Sequence, residues 1–413
     1  MTAAEFNSLL TLLGIGALCL SGYAILRFHQ SFKASIDAAP HLTPPNPSPP
    51  HLPMIAVVIP AYNEAINLRD CVESVLKSEL PNPQHLQVWI ADDESTDGTR
   101  AIAQDLLTQD PRVHLVAVPP RPTTAVWRGK NWACAQAVEQ AKGEYLLFID
   151  ADVRLEPGAI AAAIAEAQAT QSDLISCLPE IVCGCLAEWL AQPVIIRMLI
   201  AGFNFGAVND PAQPSTAFAA GPFMLFRRTA YDHIGGHRAV ADDLVEDVAL
   251  ARQIKAFGLK MRLILGLGLI KVRMYRNLAA LWEGWTKNLH MGAKRKVSAT
   301  LMIAVIAVLV LVVPWLGILL SGAAILSVGL PEGALFLLPL AFALALLLWE
   351  STLWRQQAVL LELPVRYWSL SWLGGLLVAA IAIASIIKTE TGWGWTWRGR
   401  SLALPNAKTT PSA

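Results

Sequence analysis

Three uncharged apolar runs near the C-terminal end, residues 301–320, 334–349 and 368–387, and a fourth at residues 9–26, constrain this chain more than any other feature. About 20 consecutive apolar residues are needed to cross a bilayer as a helix. The run at 9–26, slightly short of that, and the short run at 334–349 are predicted to span along with the other two. No basic residue precedes residue 9, whereas Arg27 and Lys33 follow the run. That asymmetry favours an anchor over a cleaved signal peptide and places the C-terminal end of the run in the cytoplasm. Lys287, Lys294, Arg295 and Lys296, just before the second run, place the intervening segment on the same side, beside anionic head groups. Four spans from an outside N-terminus would put the tail outside, yet Lys388, Arg398 and Arg400 favour inside. The span count is therefore open by one.

Composition agrees with a chain divided between membrane and water. Hydrophobic residues make up 54% and charged residues only 15%, too apolar for a purely soluble protein of 413 residues. The formal net charge is zero, which gives no basis for a nucleic-acid partner. Six scattered cysteines form neither a disulfide framework nor a zinc motif. Residues 40–53 are rich in proline and read as an extended spacer. The expected organisation is an anchor at 1–33, a linker at 34–53, a catalytic domain at 54–298, membrane helices at 299–390 and a tail at 391–413.

Within 54–298, buried-type strands alternate with helical patterns, which argues for an α/β domain with a mostly parallel, helix-covered sheet. Strands at 54–59, 87–91 and 145–149 each run into a polar motif: Pro60-Ala61-Tyr62-Asn63-Glu64, then Asp92-Asp93-Glu94-Ser95-Thr96-Asp97-Gly98-Thr99, then Asp150-Ala151-Asp152. Open α/β sheets bind ligands at those strand ends. Alternation along an extended backbone would send Asp150 and Asp152 to one face, offering hard oxygen ligands to a divalent cation. Arg128-Gly129-Lys130-Asn131 opens a further helix, and Glu246-Asp247 another that buries Leu250 and Ile254. Residues 186–208 are apolar and aromatic but interrupted by Pro193, Arg197 and Asn204. They fit an interfacial amphipathic helix or a buried helix of the catalytic domain equally well.

These motifs, in this order and spacing over residues 54–291, resemble the family 2 glycosyltransferases of GT-A fold. The anchor, the Gly-Lys-Asn-Trp stretch at 129–132, Asn209-Asp210-Pro211 and the C-terminal spans resemble the membrane-bound branch that includes hopanoid-associated and carotenoid glycosyltransferases. The resemblance implies a UDP- or GDP-sugar donor. Pro60, Ala61, Asn63 and Glu64 then seat base and ribose, unless they are only a capped turn, and Asp93, with Asp92 second, accepts from the nucleotide. Ser95, Asp97, Gly98 and Thr99 shape their turn. Lys130 meets the diphosphate or is merely solvated. Asp150 and Asp152 hold Mg²⁺ or Mn²⁺, Asp152 more directly. Asp247, with Glu246, supplies the base for inversion, or the two acids only complement the helix dipole.

The processive synthases of the family carry a Gln-x-x-Arg-Trp signature after the base helix, and residues 259–291 contain none. A single transfer to a lipid hydroxyl is the better expectation, from an integral membrane protein whose catalytic domain faces the cytoplasm. A polyprenyl-phosphate or glycerolipid glycosyltransferase is the alternative enzyme. A non-enzymatic nucleotide-binding membrane protein is the alternative class; a transporter would place ionisable groups inside its spans, and a degenerate scaffold would have lost an acidic motif.

Overall fold

The computed structural model describes residues 3–44, 52–122, 126–330, 332–363 and 365–401. Two compact units divide the chain without following it linearly. One comprises Met1–Asp37, Cys183–Asn204 and Tyr275–Leu404; the other contains Ala38–Val182 and Phe205–Met274. The continuous segment 54–298 expected from the sequence is thus shared between them.

The second unit is built on a seven-stranded sheet. Its strands are β1 (Ile55–Ala61), β2 (Leu86–Asp92), β3 (Val113–Ala117), β4 (Tyr145–Ile149), β6 (Leu174–Leu178), β8 (Phe223–Arg227) and β9 (Met261–Leu265). They are ordered β3-β2-β1-β4-β8-β6-β9. A smaller sheet, β5-β10-β7, joins Val153–Leu155, Ile270–Val272 and Glu180–Ile181. Every pairing in the large sheet is parallel except those of β8 with β4 and β6. Strands covered on both faces are continuous apolar runs, and all five residues of β4 are buried. Parallel neighbours need crossovers, supplied by the helices Leu68–Leu76, Thr99–Gln109 and Gly129–Gln140. The first buries Leu68, Cys71, Val72 and Val75, one stripe of a 3.6-residue repeat.

Strand order reverses at β1, with β2 on one side and β4 on the other, so the C-terminal ends of these three strands open together. The register pairs Ala61 with Asp92. The motifs at 60–64, 92–99 and 150–152 therefore share one end of the sheet. β4 itself stops at Ile149, and the Asp150 carbonyl accepts from the Val153 amide at 3.1 Å. Asp150 and Asp152 thus lie in a turn, which corrects the extended-strand placement.

A further correction concerns the spacer. Leu42 donates to the Leu265 carbonyl and the Leu265 amide to the Pro40 carbonyl, both at 2.8 Å, so residues 40–42 cover the outer edge of β9. Residues 45–51 of that stretch lie outside the described residues.

Among the described residues, the first unit holds four helices long and apolar enough to cross a membrane: Glu5–Ile36, Val297–Val328, Gly333–Leu360 and Trp368–Thr391. The chain reads as an integral membrane protein. The helix Leu186–Gly202 packs among these helices, against Ala3–Ile36 and Ser371–Thr391. A Cβ at Gly374 would sit 2.3 Å from the Leu190 carbonyl oxygen, so glycine permits that close approach. Residues 186–208 are therefore not a single helix of the catalytic domain, because a separate short helix, Phe205–Asn209, belongs to the other unit. The aromatic tail forms a small hairpin, Thr396–Trp397 with Arg400–Ser401, and Lys287 lies 4.0 Å from the Trp397 ring centre.

Candidate active site

Hydrogen bonds between the first two motifs fix both turns. The Asn63 amide donates to the Ser95 hydroxyl at 3.0 Å, the Glu64 amide to the Thr99 hydroxyl at 2.7 Å and the Ala65 amide to the Asp97 carboxylate at 3.2 Å. Asn63 returns the contact by accepting from the Thr96 amide at 2.9 Å. Asn63 has φ of 55°, a left-handed conformation that asparagine tolerates better than most residues. Burial pushes Asp97 up, but its bonds to Thr99 and Ala65 outweigh this and hold it below the usual range. Asp92 and Asp93 are both buried, and Asp92 accepts from the Ser95 amide at 3.3 Å.

Lys130 links the third motif to the fifth. Its Nζ lies 2.6 Å from Asp150 Oδ1 and 2.7 Å from Glu246 Oε1. Burial works against the ammonium's charge, yet Asp150 and then Glu246 outweigh it and hold Lys130 well above the ordinary lysine value. Burial likewise pushes Glu246 up, and the Lys130 ammonium overcomes it, leaving Glu246 below its usual value. Lys130 is thus half-buried and paired with two carboxylates.

Asp247 has the opposite balance. It lies in the first turn of the helix Glu246–Ala256, where Oδ2 accepts from the Gly221 amide at 2.9 Å and Oδ1 from the Val248 amide at 2.7 Å. Burial first and the adjacent Glu246 charge second push it up to about 7, with Lys130 and the two amides opposing. A carboxyl poised near neutrality is suited to proton transfer. Two adjacent acids thus differ in character because one contacts Lys130.

The loop ahead of this helix is clamped by the start of Gly129–Gln140. Asn131, buried, donates through Nδ2 to the carbonyls of Val240 at 2.7 Å, Ala241 at 3.2 Å and Asp243 at 2.9 Å. Arg128 donates through Nε to the Asp242 carbonyl at 3.0 Å and pairs with its carboxylate at 2.9 Å. Asp242 is therefore committed to Arg128. His237 is buried beside Phe148 with Nδ1 2.8 Å from the Tyr231 hydroxyl, and burial drives it down to about 3, leaving it neutral. The roles of Arg128, Asn131, Gly221 and His237 escape a sequence reading, because their partners are backbone groups or residues brought near only by the fold.

Among the described residues no three His, Cys, Asp or Glu side chains form a self-contained metal cage. Mg²⁺ needs none: it is commonly held by one or two carboxylates with substrate phosphates and water completing the shell. Asp150 and Asp152, two hard-oxygen donors at the open end of the sheet, fit such a site.

A mostly parallel sheet with acidic motifs gathered at one end defines an α/β domain with its candidate site at the strand ends. Residues 56–235 match the glycosyl transferase family 2 profile. Over 270 residues, 65% of this chain and 69% of the relative, it is 27% identical to 4,4'-diaponeurosporenoate glycosyltransferase of Staphylococcus haemolyticus. The Staphylococcus aureus protein of the same name is 28% identical over 256 residues, 60% of this chain and 65% of the relative. The match thus spans about two thirds of these relatives' length. Among solved structures, a mannosyltransferase of Pyrobaculum calidifontis in complex with GDP-Man and Mn²⁺ superposes over 95% of this chain and 100% of its own, at 20% identity and TM-score 0.49.

Proposed function

We propose that this protein is a membrane-bound inverting glycosyltransferase that moves a sugar from a UDP- or GDP-sugar to a hydroxyl of a lipid, carotenoid, hopanoid or similar. The observation that carries this reading is the Asp150–Lys130–Glu246 triad, which connects the acidic turn after β4 to the helix bearing Asp247. The two staphylococcal relatives, named for a carotenoid carboxylate, support a carotenoid skeleton for the acceptor; the hydroxyl is proposed from the presence of a base at Asp247. The cytoplasmic placement of the domain rests on Arg27, Lys33 and the basic residues 294–296.

In the proposed reaction Pro60, Ala61, Asn63, Glu64, Asp92 and Asp93 receive base and ribose, and Lys130 faces the diphosphate. Asp150 and Asp152 hold Mg²⁺ or Mn²⁺, which supplies Lewis-acid compensation for charge building on the diphosphate. The Asp247 carboxylate takes the acceptor hydroxyl's proton. The oxygen then bonds to the anomeric carbon as the carbon–phosphate oxygen bond breaks on the opposite face, and the nucleoside diphosphate leaves with the electron pair. Glu246 keeps Asp247 basic by charge repulsion while Lys130 compensates Glu246.

The test uses the full chain in detergent with radiolabelled UDP-glucose or GDP-mannose and zeaxanthin, a dihydroxy carotenoid, or extracted membrane lipid. Transfer should require Mg²⁺ or Mn²⁺ and vanish in excess EDTA. Asp247→Asn should bind donor as the wild type does and transfer no sugar. Normal turnover in EDTA removes the metal, transfer by the variant removes the base, and transfer only to soluble sugars removes the lipid.

A further inference from the structure

The segment 207–221 is fastened to the helix that carries Asp247 at both of its ends. At the far end of that helix Lys255, buried, directs its Nζ into four backbone carbonyls, those of Ala207 at 3.3 Å, Asp210 at 3.2 Å, Gln213 at 3.0 Å and Thr216 at 2.6 Å. The acceptors recur every third residue, so the chain curls around one ammonium. At the near end, the Gly221 amide holds Asp247. Asn209 adds a third attachment, its side-chain amide exchanging hydrogen bonds of 3.0 and 2.6 Å with the main chain of Leu263 on β9.

Backbone carbonyls outside a strand ladder or helix need donors when they are buried. An ammonium is a costly way to fill space, since desolvating a charge is unfavourable unless it is fully hydrogen bonded. A lysine at this place is explained by what it holds. The stretch it holds has a matching composition: residues 211–226 contain no charged side chain, and 211–215 are exposed.

We propose that Lys255 is a positioning residue for the acceptor, holding residues 207–221 as the wall past which an uncharged, apolar acceptor reaches Asp247. This deepens the proposed function and rests on it. The segment meets the site at Asp247, the residue proposed to take the acceptor's proton, through the Gly221 amide. Lys255, at the other end of the same helix, is therefore expected to act on acceptor use more than on donor binding.

The experiment compares wild type, Lys255→Met and Lys255→Arg as full chains in detergent. Hydrogen exchange is followed by mass spectrometry, donor affinity by UDP and GDP titration, and KM by varying UDP-glucose or GDP-mannose and zeaxanthin separately. In Lys255→Met, exchange of amides in 207–221 should rise at least about tenfold while the strands β1 to β4 keep their protection. The acceptor KM should rise about tenfold with donor KM within a factor of about two, and Lys255→Arg should recover part of the loss. Unchanged exchange at 207–221, or equal changes in donor and acceptor KM, overturns the proposal. If Lys255→Met does not fold, Lys255→Arg alone is read by the same split. If the wild type transfers sugar to no lipid, the lipid acceptor falls and the acceptor role of Lys255 falls with it. Failure of the split in an active enzyme, by contrast, overturns only the role of Lys255.

Discussion

The amide of Gly221 donates to Oδ2 of Asp247 at 2.9 Å, and a Cβ at position 221 would lie 3.0 Å from that same oxygen. Glycine at 221 therefore sets how closely the main chain approaches the carboxylate. Gly221→Ala must push the carboxylate or the chain by a few tenths of an ångström. We expect kcat to fall about ten- to a hundredfold, because small misplacements of a reacting group are costly, with nucleotide affinity unchanged. Wild-type kcat in this variant would show that the contact does not position Asp247.

Asp247 dictates a pH dependence. With its carboxyl pushed up to about 7, the proposed base is mostly ionised only at and above neutrality, so kcat/KM should climb through that region and level off on the alkaline side. The stability consequence has the reverse sense. Between the ordinary value of 3.8 and about 7 the folded protein retains a proton that the unfolded chain has lost, so stability falls as pH rises through that window. Asp247→Asn removes this penalty and should raise the thermal midpoint over wild type at pH 8 by more than at pH 5. An equal difference at both pH values would place the group's ionisation elsewhere.

Lys130 compensates both Asp150 and Glu246, and it also restrains Asp247. Lys130→Met should leave Glu246 unbalanced, shift the pH midpoint of kcat/KM to higher values and weaken donor binding at least about tenfold, as expected for a lost charge-assisted contact. Lys130→Arg should restore the pH midpoint more fully than the donor affinity, because a planar fork replaces a point charge. A pH profile identical in wild type and Lys130→Met would disconnect the triad from the base.

Legibility in the sequence followed sequence distance. The runs ending at Ile59, Ala91 and Ile149 announce strands because each is short, apolar and closed by a turn motif. Parallel pairing then brings those motifs together with no further information. The spanning helices are equally plain, since length and lack of charge suffice. Interactions that join distant residues are silent: Asn131 to the carbonyls 240–243, and Lys255 to those of 207–216. Backbone carbonyls have no residue type, so no pattern announces such a bond. The helix Leu186–Gly202 was ambiguous for another reason. Pro193 and Arg197 look like interruptions, and Arg197 is tolerated only because a carboxylate lies more than 150 residues away in sequence.

That carboxylate, Glu350, yields the last prediction. Arg197 is buried, with Nη2 3.1 Å from Glu350 Oε1, Nε 2.5 Å from Gln357 Oε1 and its guanidinium carbon 4.3 Å from the centre of the Trp354 ring. Both charges have given up water, so the attraction between them largely repays desolvation and adds little net stability. Removing one partner is different, because it strands the other charge. Arg197→Met or Glu350→Gln alone should therefore cost about 3 to 5 kcal/mol, read as a fall in thermal midpoint or in the yield of monodisperse protein in detergent. The double variant should recover most of that loss, since two apolar or neutral side chains of similar volume need no compensation. Glycosyl transfer should follow the folded fraction, because neither residue is assigned to the site around Asp247. A double variant as unstable as the worse single one would show that the pair is held by more than mutual compensation. Loss of activity in a fully folded double variant would give Arg197 or Glu350 a place in the reaction.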